Sequence, residues 1–338
     1  MILITGATGL VGGHLLMELL QHTPQKIRGL YRDSAKIERV KLLFTTHQII
    51  DLFSYIEWFE ADVTDVPALE KAFEGITYVY HCAGMISFNS IDEPLLRKIN
   101  IQGTANIVNL SLDFQIKKLL YVSSVAALGA LTEGESIFTE DNEWNPEKLQ
   151  SDYAITKYGG ELEVWRGYQE GLPVVIVNPT IILGNGFWGQ GSGDIFSQVV
   201  NGLRFYSEGC SGFVTIKDVV CLTRLLMEHP VVGERFIICG ENLTYKTVLD
   251  AIADALQVTR PKIKSPYITT LWYAKLDGMI SFLFSKKRKL DTFGVLSLYA
   301  KEYYDNTKVC QLLHYEFEPI MAGIEKIVAL EQKSKKLN

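Results

Sequence analysis

The first twenty-one residues restrict the possible fold more than any other stretch. Met1 to Thr5 is a short apolar run. Gly6-Ala7-Thr8-Gly9-Leu10-Val11-Gly12-Gly13 follows, and a helical pattern runs from His14 to Gln21. A strand that turns through glycines into a helix can hold a dinucleotide pyrophosphate. Glycine permits the tight turn and lets phosphate reach backbone N–H groups, and the helix N-terminus faces the negative charge. The spacing is G-x-x-G-x-x-G rather than G-x-G-x-x-G, so its weight comes from following an apolar strand directly. Gly6, Thr8, Gly9, Leu10, Val11 and Gly12 are therefore candidate cofactor-binding residues.

The same alternation continues. A second strand, Lys26 to Tyr31, ends in Arg32. A carboxylate near this point suits the ribose 2′-hydroxyl of NAD, whereas an arginine suits the 2′-phosphate of NADP, so NADP is expected with NAD as the alternative. Leu42 to Asp51 reads as helix and Ile56 to Glu60 as a third strand, followed by Asp62-Val63. Asp62 can accept from an adenine amino group, with Val63 along the ring, or cap the helix that begins near Val66-Pro67. Thr77 to His81 is a fourth strand that opens into Ala83-Gly84, where small residues allow a ligand close to the backbone. A loop with Phe88 leads to a helix over 93–113. Leu119 to Val122 is a fifth strand ending at Ser123-Ser124, and Val174 to Val177 a sixth ending at Asn178-Pro179-Thr180. Strands alternating with helices predict a doubly wound parallel sheet, whose ligands lie at the C-terminal ends of the strands.

A polar stretch up to Gln150 is followed by Tyr153-Ala154-Ile155-Thr156-Lys157 at the start of a helix. Four residues of spacing put the phenol and the ammonium on one helix face. An ammonium about 4 Å from a phenol, at an effective dielectric near 20, favours the phenolate by roughly 4 kcal/mol before desolvation is subtracted. At about 1.4 kcal/mol per unit, that allows a pKa depression of up to about three units.

Bulk properties exclude other classes. The chain has 338 residues and a formal charge of −6, which does not favour nucleic acid. The five cysteines are scattered without metal-ligand spacing, so a reduced compartment, no zinc site and no disulfide framework are expected. No signal-peptide pattern is evident and no apolar run reaches the ~18 residues of a membrane span. A cytoplasmic protein follows as the expectation.

Taken together, Thr5-Gly6-x-x-Gly9-x-x-Gly12, Asp62-Val63, His81-x-Ala83-Gly84, Asn100-x-x-Gly103-Thr104, Ser123-Ser124, Tyr153-x-x-x-Lys157 and Asn178-Pro179-Thr180 resemble the extended short-chain dehydrogenase/reductase family. Weaker matches continue to Asn306-Thr307-Lys308, so the likeness covers nearly the whole chain. Val122 to Gly129 and Asn178 to Gly184 look most like the dihydroflavonol-reductase-like branch. The resemblance implies a Rossmann-type sheet with a smaller, mostly helical C-terminal substrate lobe. It implies that Tyr153 exchanges a proton with the substrate oxygen, that Lys157 holds the nicotinamide ribose and lowers the Tyr153 pKa, and that Ser124, or its neighbour Ser123, hydrogen-bonds the reacting oxygen. Pro179 and Thr180 would pack by the nicotinamide, and Asn100 would serve a relay or structural role. A homodimer through two sheet-covering helices is a further implication.

On these grounds residues 1–179 form the dinucleotide domain, with 213–240 returning to it, and 180–212 with 241–330 form the substrate lobe. Gly184 to Gly193 is glycine-rich and carries Phe187 and Trp188, suited to a mobile loop over a pocket. With Phe88, these aromatics are candidate substrate contacts, or else core of the lobe. A nucleotide-sugar substrate would need cations for a second pyrophosphate, and between Thr180 and Gly212 there is only Arg204. The leading expectation is therefore an oxidoreductase interconverting a carbonyl and an alcohol on a small apolar or aromatic substrate. The alternatives are a nucleotide-sugar epimerase or dehydratase, and a dinucleotide-sensing protein without chemistry. Tyr267 to Phe284, with Lys286-Lys287-Arg288-Lys289 after it, reads as a packed helix with a solvated basic end, or else as an amphipathic segment meeting anionic lipid.

Overall fold

The computed structural model describes residues 1–131, 134–283 and 292–337. Phe284 and the basic run 286–289 lie outside the described residues. The strands are β1 (Ile2–Thr5), β2 (Ile27–Tyr31), β3 (Ile56–Glu60), β4 (Tyr78–His81), β5 (Lys118–Val122), β6 (Val174–Pro179), β7 (Ile181–Leu183), β8 (Phe205–Tyr206), β9 (Cys210–Thr215), β10 (Glu234–Ile238), β11 (Glu241–Thr244) and β12 (Ile263–Lys264). Seven of them form one parallel sheet in the order β10-β6-β5-β4-β1-β2-β3. The order reverses between β1 and β4, which opens a crevice at their C-terminal ends.

The central strands bury both faces, as a parallel sheet covered on both sides requires. Ile2, Ile4, Tyr80, Leu120, Val122, Val175 and Val177 join one core. Their neighbours Leu3, Val79, Leu119, Tyr121, Val174 and Ile176 join the other. The helices that cover these faces are α1 (Leu10–His22), α2 (Ala35–Thr46), α3 (Val66–Phe73), α4 (Glu93–Leu96), α5 (Gly103–Asp113), α6 (Asp152–Gln169) and α8 (Ile216–Glu228), whereas α7 (Asp194–Val200) packs in the lobe. The C-terminal part adds α9 (Tyr245–Leu256), α10 (Tyr267–Leu283), α11 (Thr292–Tyr299), α12 (Thr307–Leu313) and α13 (Ile320–Leu337).

Helix α8 packs beside α1 and β10 extends the main sheet, so the chain returns there, whereas β9 forms a small sheet with β11 and β7. A third cluster, from Leu183 through Phe196 and Phe213 to Val328, is the core of the lobe.

Local differences from the sequence reading have physical causes. Helix α2 starts at Ala35 rather than Leu42, because only Val40, Leu43, Phe44 and Thr46 are buried and its first turn is solvated and charged. The stretch read as one helix over 93–113 contains a π-turn at Arg97–Gln102, between α4 and α5. Asp65, not Asp62, caps α3, accepting from the Ala68 N–H at 3.3 Å. Helix α10 is not enclosed. It packs against α11 on one side, with Ala274 buried, while Ile268, Trp272, Tyr273 and Leu276 are exposed on the other, so the packed-helix reading holds for one face only. No described helix is long and apolar enough to cross a membrane.

Candidate active site

The glycine turn has the shape a phosphate needs. Gly6 lies at φ +66°, and a Cβ there would come within 2.7 Å of the Ala83 nitrogen. A Cβ on Gly12 would come within 2.3 Å of the Gly6 carbonyl oxygen. Both positions therefore exclude a side chain, and the turn closes with the Gly9 N–H donating to Gly6 O at 2.9 Å. Gly9 is the N-cap of α1 and no side chain caps that helix, so its first N–H groups face the crevice beside the half-exposed Thr8, Leu10 and Val11. This cradle fits a dinucleotide pyrophosphate. Ala83 donates its N–H to Thr5 Oγ1 at 3.1 Å, and Gly84 is exposed beside it.

At the far side of the crevice, Arg32 donates to Asp62 Oδ2 at 3.2 Å, with its side chain about half exposed. Burial works to raise the Asp62 pKa, but the Thr64 N–H, the Thr64 hydroxyl and Arg32 together hold it below the usual carboxylate range. Val63 is buried beneath Gly103, where a Cβ would meet its side chain at 2.6 Å. Asp62 thus serves a local turn and Arg32, not the α3 cap.

The N-terminus of α6 supplies the reactive pair. Ser151 caps it, accepting from the Ala154 N–H at 3.1 Å, which holds Tyr153 and Lys157 in consecutive turns. The Ser124 side chain lies beside the Tyr153 phenol and favours its ionised form, and the exposed Phe88 ring meets the Tyr153 ring edge-on at 5.9 Å. Ser123 points elsewhere: it is buried and donates to Glu161 Oε2 at 2.7 Å. Adjacent strand residues face opposite ways, so only one of the two serines can meet the phenol.

Lys157 is buried and donates to Tyr121 Oη at 3.1 Å and to Val122 O at 2.9 Å, with its ammonium 4.6 Å from the Tyr121 ring centre. Burial lowers its pKa to about 8, with Glu161 and Cys82 opposing. Burial also pushes the Tyr153 phenol above its ordinary value, with Ser124 opposing. The depression expected from Lys157 is not found, because both groups have left water and desolvation disfavours the phenolate more than its surroundings favour it.

A supporting layer lies behind these groups. Glu161, one turn beyond Lys157, is 1% exposed, accepts from Asn178 Nδ2 at 2.9 Å and pairs with Arg235 at 3.1 Å. Asn178 Nδ2 also donates to Ser124 O at 2.9 Å, tying the serine to β6. His81 stacks on Tyr121 at 5.3 Å and bridges Thr5 and Thr104. Burial, and secondarily Lys157, lowers the His81 pKa to about 3, so it is neutral at physiological pH. Asn100, in the π-turn, accepts from the Met85 N–H and donates to Met85 O and Thr156, so it clamps the loop that carries Phe88.

Tyr121, Glu161 and Arg235 were missed by the sequence reading. A signal for the close packing existed in Gly159-Gly160, inside a helix where glycine is costly. A Cβ on Gly160 would lie 2.4 Å from Asn100 O and 2.7 Å from Tyr121 Oη.

Other expected residues are placed differently. Phe187 is buried in the core against His14 and the Gly13 backbone, so it lines no open pocket. Trp188 stacks on Phe196 at 4.8 Å in the lobe core and donates to Gly184 O. The Thr180 hydroxyl donates to Ile238 O at 3.3 Å, and Pro179 is buried in β6. Among the described residues, no group of three or more His, Cys, Asp or Glu is placed to hold a metal.

Comparison with known proteins matches this arrangement to a family. Residues 2–239 match the model of the NAD dependent epimerase/dehydratase family. The chain belongs to that family. It is 28% identical over 268 residues to "Sterol demethylase protein B" of Methylococcus capsulatus, covering 78% of this chain and 77% of that protein. It is 26% identical over 319 residues to a "Putative dihydroflavonol 4-reductase" of Synechocystis, covering 92% and 88%. The UDP-glucuronic acid 4-epimerase of Bacillus cereus, solved with UDP-glucuronic acid and NAD, shares the fold at TM-score 0.74 and 19% identity, covering 100% and 99%. The family places the protein among NAD(P)-dependent enzymes of the extended short-chain type that act on hydroxyl and carbonyl groups.

One pH dependence follows. Below about pH 8 Lys157 is an ammonium, and above it the charge is lost. Tyr153, shifted upward, keeps its proton through the same range. The rate of carbonyl reduction is expected to be level at neutral pH and to fall about tenfold per pH unit above the Lys157 pKa. A pH–rate profile still level at about pH 10, the ordinary lysine range, would show that the Lys157 charge is not used.

Proposed function

We propose that the protein is an NADP(H)-dependent oxidoreductase that interconverts a carbonyl and an alcohol on an apolar or aromatic substrate. The observation that carries this reading is the placement of the Tyr153 phenol beside the Ser124 side chain at the C-terminal edge of the sheet, with the exposed ring of Phe88 against it.

A bound nicotinamide dinucleotide supplies the hydride for reduction and accepts it for oxidation. The protein's residues supply position and a proton. Ser124 donates to the substrate oxygen as negative charge develops there, and Tyr153 transfers its proton to the same oxygen. The upward shift of Tyr153 keeps the phenol protonated, the form that reduction requires. In oxidation the proton moves from the alcohol to Tyr153. The Lys157 ammonium, held by Tyr121 and Val122, would hold the nicotinamide ribose and offset the charge left on the phenol. Glu161 and Asn178 hold the Ser124 backbone in place.

Arg32 supports NADP, because it stands half-exposed at the end of β2, where it can turn from Asp62 to a 2′-phosphate. The apolar substrate is supported by Phe88 and by the scarcity of cations. Arg204 is the sole Lys or Arg between Thr180 and Gly212, and it lies exposed on the segment before β8.

The test is steady oxidation of added NADPH with a panel of ketones and aldehydes, repeated with NADH. NADPH is expected to be preferred, and Arg32→Ala to lower that preference by about 10- to 100-fold, the loss of one charge-assisted contact. Tightly copurifying NAD, interconversion of a nucleotide sugar and no net NADPH oxidation would instead identify an epimerase.

A further inference from the structure

The surface of the substrate lobe carries an apolar face that the proposed chemistry does not use. Helices α10 and α11 form an antiparallel pair. Tyr267 meets Tyr299 at 5.4 Å, and the Tyr299 hydroxyl donates to Ser265 O at 2.7 Å. Their inner sides are packed, with Ala274 and Val295 fully buried. The pair is rooted in the lobe, where the Cys210 N–H donates to Ala300 O at 2.8 Å. On the outer side, Ile268, Trp272 and Leu276 stand four residues apart, 66%, 64% and 53% exposed, with Tyr273 and Leu296 beside them.

Spacing of four puts the first three on one stripe. A helix apolar on both its inner and outer faces is not built for water alone, and an exposed stripe of this size marks a contact. Tryptophan and tyrosine at its centre suit a boundary where one side is apolar and the other wet.

Charge selects the occupant. The eight residues that join the two helices, 284–291, contain Lys286, Lys287, Arg288 and Lys289 against one carboxylate, Asp291, in a chain of net charge −6. A chain acidic overall thus carries a run of positive charge directly after its exposed apolar helix in the sequence. A second copy packed through the same face offers no match, because Asp277 is the only acidic residue in α10 and α11 has none. An anionic bilayer surface matches both features, taking the apolar stripe into its interface and pairing the lysines with its headgroups.

We propose that the exposed face of α10, with Leu296 of α11, docks the substrate lobe onto the surface of a membrane containing anionic lipid, without crossing it. The consequence is access, since an apolar substrate dissolved in that bilayer would meet a lobe already seated on it.

The experiment is flotation of the full-length protein with phosphatidylcholine vesicles, with and without phosphatidylglycerol. Binding is expected to the anionic vesicles and to weaken as salt rises. Replacing Ile268, Trp272 and Leu276 together by serine should weaken it at least about tenfold, while melting temperature and NADPH binding stay unchanged. Replacing Lys286 and Lys287 by glutamate is the second arm, expected to remove the preference for anionic lipid without touching α10. Absence of binding by the unaltered protein, or binding that neither variant reduces, would overturn the proposal. So would a concentration-dependent dimer abolished by the serine variant, since the face would then belong to a second copy. These readouts do not depend on turnover, so they separate from the failure of the proposed reaction.

Discussion

Tyr153→Phe is expected to lower kcat for carbonyl reduction by about 10²- to 10⁴-fold, the range that a positioned proton donor contributes. Converted, that is roughly 3–5 kcal/mol of transition-state stabilisation. The substitution removes one oxygen from a ring that packs edge-on to Phe88, so the ring contact and the fold should survive. The affinity for NADPH, read by fluorescence titration, should change little. Ser124→Ala should cost about 10²- to 10³-fold, as loss of a donor to the developing charge does elsewhere. Because the two side chains lie side by side and would serve one oxygen, the double variant should be little slower than Tyr153→Phe alone. Turnover by Tyr153→Phe at a rate near that of the unaltered enzyme would remove the phenol from the mechanism and leave Ser124 without its partner in it.

The largest effect on stability is expected at Arg235→Met. Arg235 donates to Glu161 at 3.1 Å and to the backbone carbonyls of Glu140 and Asn142 at 2.8 and 2.9 Å. Glu161 is 1% exposed, so removing the guanidinium strands a carboxylate in the interior, a change that typically costs about 3–5 kcal/mol. Chemical denaturation should show it as a lower midpoint. Adding Glu161→Gln to Arg235→Met should recover part of the loss. The amide oxygen can still accept from Ser123 and Asn178, while the unpaired charge is gone. A double variant less stable than Arg235→Met alone would mean that the Glu161 charge is held by something other than Arg235.

The same pair shows why a site assembled from sequence is incomplete. Glu161 lies four residues beyond Lys157, where it reads as one more polar residue of a helix. Arg235 lies 74 residues further on, at the start of a strand. Neither has a local pattern that sets it apart, and only the addition of β10 beside β6 brings them together. Tyr121 is similar. In the chain it is one apolar residue of β5, and in the fold it is the acceptor that holds the Lys157 ammonium. Phe187 and Trp188 pack into cores, the alternative that their composition also left open, for the opposite reason. A glycine-rich aromatic loop has the composition of a pocket wall, but covering large rings is favourable wherever a core will take them, and here one core buries Phe187 and another partly covers Trp188.

What the sequence determined alone was whatever depends on near neighbours in the chain. The glycine turn, the two-residue alternation of the strands and the four-residue step from Tyr153 to Lys157 are set by backbone geometry over a few residues. From them follow the doubly wound sheet, the edge on which its ligands lie and the pairing of a phenol with an ammonium. Burial and long-range contact required the tertiary structure. It turned Ser124 rather than Ser123 toward the phenol, raised the Tyr153 pKa where a depression was expected, and left the α10 stripe uncovered. Each of these depends on how much water remains around a group, and that depends on residues far away in the chain that the fold brings near.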